Sequence, residues 1–232
     1  MRGSCIVNVS FVSPFDKSNW FVGGQMRLAE FMRRFANSDY LFYESEAEVG
    51  APSHAENPYA FKVYAIKKAI EDGYRYIFWV DSSIFPVKSI KPVWDIIQNQ
   101  GYLFIQNSFR VGEWVSDSVL DMFKLSRDSA FAMESIYGGI FGLDMQNEKA
   151  NIFFSELWQA MESGAFKGEW DNNSGSVSSD TRVKGHRHDQ AVMSILAYKH
   201  GMTNFTNNIL KSYTQWPGLV DDNIILIYKR GL

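Results

Sequence analysis

An α/β fold, with a mostly parallel central sheet flanked by helices, is the class this 232-residue sequence predicts, and three observations predict it. Strand-like and helix-like periodicities alternate along the first half of the chain. The stretch YRYIFWV, Tyr74 to Val80, is a nearly continuous apolar run of the kind found in parallel strands covered on both faces. No internal repeat and no linker splits the chain, so residues 1–232 read as one domain.

The elements follow in order. Ile6 to Val12 reads as a first core strand. After the Gly23-Gly24 pair, QMRLAEFMRRF puts Met26, Ala29, Met32 and Phe35 on one helical face and Arg27, Glu30 and Arg34 elsewhere, which predicts an amphipathic helix on a sheet. YLFY, Tyr40 to Tyr43, is a short second strand, and a polar crossing from Glu44 to Glu56 follows. The next helix is the best punctuated: Asn57 is placed to cap it, Pro58 to take its first position and Gly73 to end it. It leads directly into YRYIFWV. VWDIIQNQ then reads as a helix and Tyr102 to Gln106 as a strand.

The second half is less regular. YGGIFGLD, Tyr137 to Asp144, joins two glycines to a short apolar strand, and NIFFSELWQAMESG is a helix with Phe153, Leu157 and Met161 on a shared face. Asp171 to Asp180 has Val177 as its one apolar anchor and predicts a surface loop, a candidate mobile lid. TRVKGHRHDQ gathers Arg182, Lys184, His186, Arg187, His188 and Asp189 just before the amphipathic AVMSILAYKHG, which Gly201 ends. NIILIYKR predicts a late strand.

Composition excludes several classes. With 46% hydrophobic and 21% charged residues the chain can bury a sizeable core. A net charge of -3 gives no basic field for nucleic acid. Cys5 is the single cysteine, which rules out an intrachain disulfide and a multi-cysteine zinc site and points to a reducing, cytoplasmic setting. Asn8 and Ser10 interrupt the apolar start, so no secretory leader is expected, and no run reaches the ~18 apolar residues of a membrane span. The glycosylation-like triplets at Asn8, Asn172 and Asn204 carry no weight without a leader. Aromatic content of 16%, with seven tryptophans, is high; most rings must pack, and some could form a platform for a sugar or a base.

The residue that stands out is Asp81. In open α/β sheets ligands bind outside the carboxyl ends of the strands, and Asp81 ends the most buried strand. As a turn residue it would merely close that strand. As a site residue it would face a ligand. Asp189 carries a similar ambiguity, because an aspartate opening a helix is also a good cap.

Three segments together resemble the GT-A nucleotide-sugar glycosyltransferases: NPYAFKVYAIKKAIEDGYRYIFWVDSSIFP, YGGIFGLD and GHRHDQAVMSILAYKHG. The likeness lies in an Asp-x-Asp-like strand end (Asp81-Ser82-Ser83), a Gly-Gly-aromatic segment and a late His188-Asp189-Gln190. It implies a GT-A-like, Rossmann-related domain, with residues 1–108 binding the nucleotide sugar and 109–232 binding the acceptor and completing the site. The implied activity is transfer of a hexose from a nucleotide diphosphate sugar, a UDP-sugar by expectation, to an acceptor hydroxyl.

The resemblance assigns donor contacts to Ser10, Phe11 and Val12 at the first strand's end, to Lys62, to Asp81, Ser82 and Ser83, to Gly138 and Gly139, and to Gln190. It makes Asp189 the catalytic base or a donor-sugar contact, and inversion at the anomeric carbon would need such a base. The charge developing on the leaving β-phosphate calls for a cation. Mn²⁺ or Mg²⁺ would suit carboxylate and phosphate oxygens, with Asp81 as first ligand. The chain departs from the family pattern at Ser83, where a second acid is expected. His186 or His188 could complete a metal site with Asp81 and Ser83, metal binding could be weak, or Arg182, Lys184 and Arg187 could neutralise the diphosphate instead. Two other classes remain open: a non-catalytic nucleotide- or carbohydrate-binding module, and a zinc hydrolase built on the HRHD cluster.

Overall fold

The expected alternation of strand and helix runs through the first half of the molecule. In the computed structural model, which describes residues 2–10, 20–212 and 223–229, the order is Arg2–Val9 (β1), Trp20–Phe35 (α1), Asp39–Tyr43 (β2), Ala60–Glu71 (α2), Tyr74–Val80 (β3), Ile84–Pro86 (β4), Lys91–Gln100 (α3) and Tyr102–Arg110 (β5). The second half adds Asp117–Met122 (α4), Arg127–Ala132 (α5), Glu134–Asp144 (β6), Glu148–Glu162 (α6), His188–Lys199 (α7), Leu210–Ser212 (β7) and Leu226–Tyr228 (β8).

The main sheet runs β2-β1-β3-β6-β5. β1 is parallel to β2 and β3, whereas β6 is antiparallel to both β3 and β5. Four of its five strands therefore share one direction, and β6 is inserted against them between β3 and β5. A smaller sheet, β4-β8-β7, contains the late strand expected from NIILIYKR. The boundary at 108 passes through β5.

The period of two along the strands separates two cores. Ile77 and Trp79 of β3, with Cys5 and Val7 of β1, pack under α2, α6 and α7. Phe78 and Val80, with Ile6, pack against α1, α3 and the small sheet. α7 departs from the amphipathic pattern expected of it: Ala191 to Ala197 are all buried, because α7 is packed between β6 and the rest of the first core.

The entry to α2 also differs from expectation. Asn57 does not cap it; its side-chain amide donates across the molecule to Met161 O at 3.3 Å. Tyr59 precedes the helix instead, in left-handed geometry at φ 60°. Gly73 ends the helix as expected, at φ 86°. None of the residues of the Asp171–Asp180 loop lines the cavity described below. The loop is folded around Asn172, whose amide donates to Ser178 O and Val183 O and whose Oδ1 accepts from the Val177 and Ser178 amides. That side chain supplies the turn's missing backbone bonds.

Candidate functional site

The site is formed where β6 overshoots the carboxyl end of β3. Val80 pairs with Ile140, and the Asp81 amide donates to Gly139 O at 2.8 Å. Gly138 and Gly139 thus stand in mid-strand beside Asp81, not in a strand-end turn. Their missing side chains permit close approach. A Cβ on Gly139 would lie 2.9 Å from Asp81 Oδ2, and one on Gly138 would lie 3.1 Å from Gln190 Cβ and 3.4 Å from Asp189 Oδ2.

Asp81 is steered by the strand that carries it, with Trp79 Nε1 donating to Oδ1 at 2.8 Å. Its side chain keeps 33% exposure. Lys62, in the first turn of α2, is buried at 4% exposure and joins three partners. Its ammonium lies 2.9 Å from Asp189 Oδ2 and 3.5 Å from Asp81 Oδ1, and it donates to Gly138 O at 2.8 Å. The Tyr59 and Trp79 rings flank it, with centroids at 4.9 and 5.7 Å. A buried ammonium would ordinarily lose its proton. Burial does oppose the charge here, but Asp189 and then Asp81 outweigh it and raise the Lys62 pKa, so the charge stays.

Asp189 is in the first turn of α7, and its carboxylate turns inward to Lys62. Its Oδ2 oxygen is itself buried, with the Lys62 ammonium as its charged neighbour. Burial pushes the Asp189 carboxyl above the ordinary range, and Lys62 offsets part of that. Gln190 is occupied structurally: its Oε1 accepts from the Gly138 amide at 3.3 Å and its Nε2 donates to Ser135 at 3.1 Å. It ties α7 to β6 at the point where the glycines allow contact.

These groups line a cavity of about 720 Å³, together with Arg187, Trp170, Tyr137 and Lys211. That volume is within the range of small-molecule pockets. The Arg187 guanidinium is sandwiched between the Trp114 and Trp170 rings, 3.9 and 3.8 Å from their centroids. Trp170 stays 47% exposed at the cavity wall.

The remaining expected residues lie elsewhere. Ser82 is buried and donates to Asn8 Oδ1 at 3.2 Å, and Ser83 is buried next to β4, its carbonyl accepting from the Lys229 amide. Neither lines the cavity. Ser10 is fully buried at the end of β1 and its hydroxyl has no hydrogen-bond partner among the described residues; Phe11 and Val12 lie outside the described residues. Arg182 is turned to Asp180 and Asp128, and Lys184 to Glu113, on the surface away from the cavity. His186 has both ring nitrogens on backbone: Nε2–H faces Ala165 O at 2.9 Å and Nδ1 accepts from the Ser116 amide at 3.4 Å. His188 directs Nδ1–H at Phe166 O at 2.8 Å, and its ring packs near Tyr59 and Trp170. Burial lowers both imidazoles from the ordinary 6.5 to about 4, so both are neutral at pH 7.

These residues do not fit a divalent cation. Ser83 is buried outside the cavity lining, both His186 ring nitrogens are engaged by backbone, and an ammonium sits beside the carboxylate that would be the first ligand. Among the described residues, no three of His, Cys, Asp and Glu gather as ligands. The same bonds leave HRHD unsuited to the three good ligands that zinc needs. Tyr59, Trp170 and Lys211 are cavity residues that the sequence reading missed. The one available signal was the aromatic content, which did not say which rings face a cavity.

The architecture is that of the GT-A glycosyltransferases. Among solved structures the chain resembles mouse xyloside xylosyltransferase 1 in its apo form, with TM-score 0.55 and 8% identity over 98% of this chain and 97% of that one. It also resembles a glycosyltransferase involved in glycosylation of the major capsid of PBCV-1, with TM-score 0.51 and 13% identity over 97% and 92%. The galactosyltransferase LgtC, in complex with donor and acceptor sugar analogs, gives TM-score 0.51 and 10% identity over 98% and 87%. No family model and no curated protein matches the sequence. Among the described residues no helix is long and apolar enough to cross a membrane.

Proposed function

We propose that the chain transfers a hexose from a UDP-sugar to an acceptor hydroxyl. The observation that carries this reading is the Asp81–Lys62–Asp189 arrangement at the carboxyl end of the parallel strands, in the wall of the large cavity. In such sheets that is where nucleotide ligands sit. Asp81, the more exposed carboxylate, is placed to orient the donor, and Gly138 and Gly139 let β6 run close enough to hold Asp81 and Asp189 at the cavity wall. Asp189, with its proton affinity raised by burial, is suited to take the acceptor's proton. Lys62 holds the two carboxylates at fixed positions through one ammonium.

A thermal-shift panel of nucleotide sugars tests the reading. A ligand at 100 times its dissociation constant should stabilise the fold by about 2.7 kcal/mol, and UDP-hexoses should give the largest shifts. If no nucleotide sugar moves the transition, the proposal is wrong.

A further inference from the structure

We infer that the chain neutralises the leaving diphosphate with its own cations, Arg187 and Lys211 acting beside the fixed Lys62, and that transfer needs no divalent metal. This rests on the glycosyl-transfer reading above and concerns the means of charge neutralisation at that same site.

The charges lining the cavity carry the argument. Among the described residues they are three cations, Lys62, Arg187 and Lys211, and two carboxylates, Asp81 and Asp189. Lys62 offsets the carboxylates from within the wall. The other two cations come from separate elements, Arg187 from the residue before α7 and Lys211 from β7 of the small sheet. A dianionic diphosphate entering this cavity therefore meets cations carried by three separate elements of the described structure. Asp81 Oδ1, one of the two oxygens a metal could take, already has the Lys62 ammonium at 3.5 Å and the Trp79 indole N–H at 2.8 Å. A divalent cation would have to bind beside that fixed positive charge with a single carboxylate from the strand end, and like charges at such a distance repel.

Arg187 is built for the task. Two indoles clamp the guanidinium plane, so hydrogen bonding is left to its N–H edges, the geometry that suits phosphate oxygens. Little side-chain freedom is then lost on binding. In the step itself the bond between the anomeric carbon and the β-phosphate oxygen breaks, and its electron pair leaves on the nucleoside diphosphate, paired with these cations. The acceptor oxygen supplies the electron pair of the new bond to the anomeric carbon, and its proton passes to the Asp189 carboxylate.

Calorimetric titration of the full chain with UDP, once with excess EDTA and once with excess Mn²⁺, is the test, together with UDP release from UDP-hexoses in both buffers. The dissociation constants should agree within about threefold, a difference well under one charge-assisted contact, and UDP release should persist in EDTA. Lys211→Ala and Arg187→Gln should each weaken UDP binding in EDTA by about tenfold, as expected for loss of one charged hydrogen bond. Their urea midpoints report whether each remains folded. Binding or UDP release that requires Mn²⁺ overturns the inference and leaves the glycosyl-transfer reading standing. So does unchanged UDP affinity in both folded variants. UDP bound in neither buffer removes the UDP-sugar reading and this inference with it.

Discussion

Lys62 is the residue on which both stability and chemistry converge. Its ammonium is the shared partner of two carboxylates, one of them as buried as itself. Removing one member of a buried charged set costs far more than the set contributes net, because the remaining charges lose their partner without regaining water. Lys62→Met should therefore destabilise the fold by about 3–5 kcal/mol, read from urea unfolding. A loss near zero would mean that Asp81 and Asp189 reach solvent more freely than their geometry indicates. His186 and His188 give a different kind of prediction. Their folded pKa values are near 4 and their unfolded value is near 6.5, so between these limits the unfolded chain binds the extra protons. Stability from their neutrality is complete above about pH 6.5 and is lost as pH falls toward 4, by on the order of 3 kcal/mol for each ring. Unfolding free energies measured across this window should fall with acidification, and His186→Gln should flatten the slope by about one proton. An unchanged slope in the variant would contradict the burial argument.

At the scale of elements, the backbone between α6 and α7 holds the indole wall of the cavity. His186 N donates to Glu169 O and Asn172 N to Lys184 O, so two short stretches are laced together with Gly185 between them. A Cβ on Gly185 would fall 2.0 Å from Trp170 O. Gly185→Ala must push Trp170 away and loosen the clamp on Arg187. We expect a loss of about 1–3 kcal/mol, the usual range for overpacking, with a changed near-UV circular dichroism spectrum; a wild-type spectrum would show that the lacing yields elsewhere. The elements were legible in the sequence to differing degrees, for physical reasons. β3 and the exit of α2 were plain because an apolar run and a glycine with positive φ are local requirements. The capping of α2 was misread because Asn57 bonds across the molecule to Met161, and no local pattern shows that. Asp81 and Asp189 could be singled out from their places at a strand end and a helix start. That one lysine would join them could not, since lysine on a helix usually means solvent.

For the molecule as a whole, the site belongs to no single stretch of chain. α2 supplies Lys62, the end of β3 supplies Asp81, β6 the glycines, α7 Asp189, and the small sheet Lys211. A cut after residue 108 divides β5 and leaves β6 with the other fragment. Neither fragment alone should show a thermal response to UDP-hexoses that stabilise the intact chain, and a response from residues 1–108 alone would place the nucleotide wholly on the first half.

The insertion of β6 between β3 and β5 also bears on how the protein is made. As the chain leaves the ribosome, β1, β2 and β3 can assemble in turn, but the flank of β3 that will receive β6 stays open until residues 134–144 emerge. During that interval an apolar strand presents unpaired amides and carbonyls, the template from which intermolecular pairing starts. Over the same interval Asp81 has beside it the Lys62 ammonium, whose second carboxylate arrives only with α7. The charges that organise the finished cavity thus stand guard at the exposed strand end while the nascent chain is most prone to aggregate.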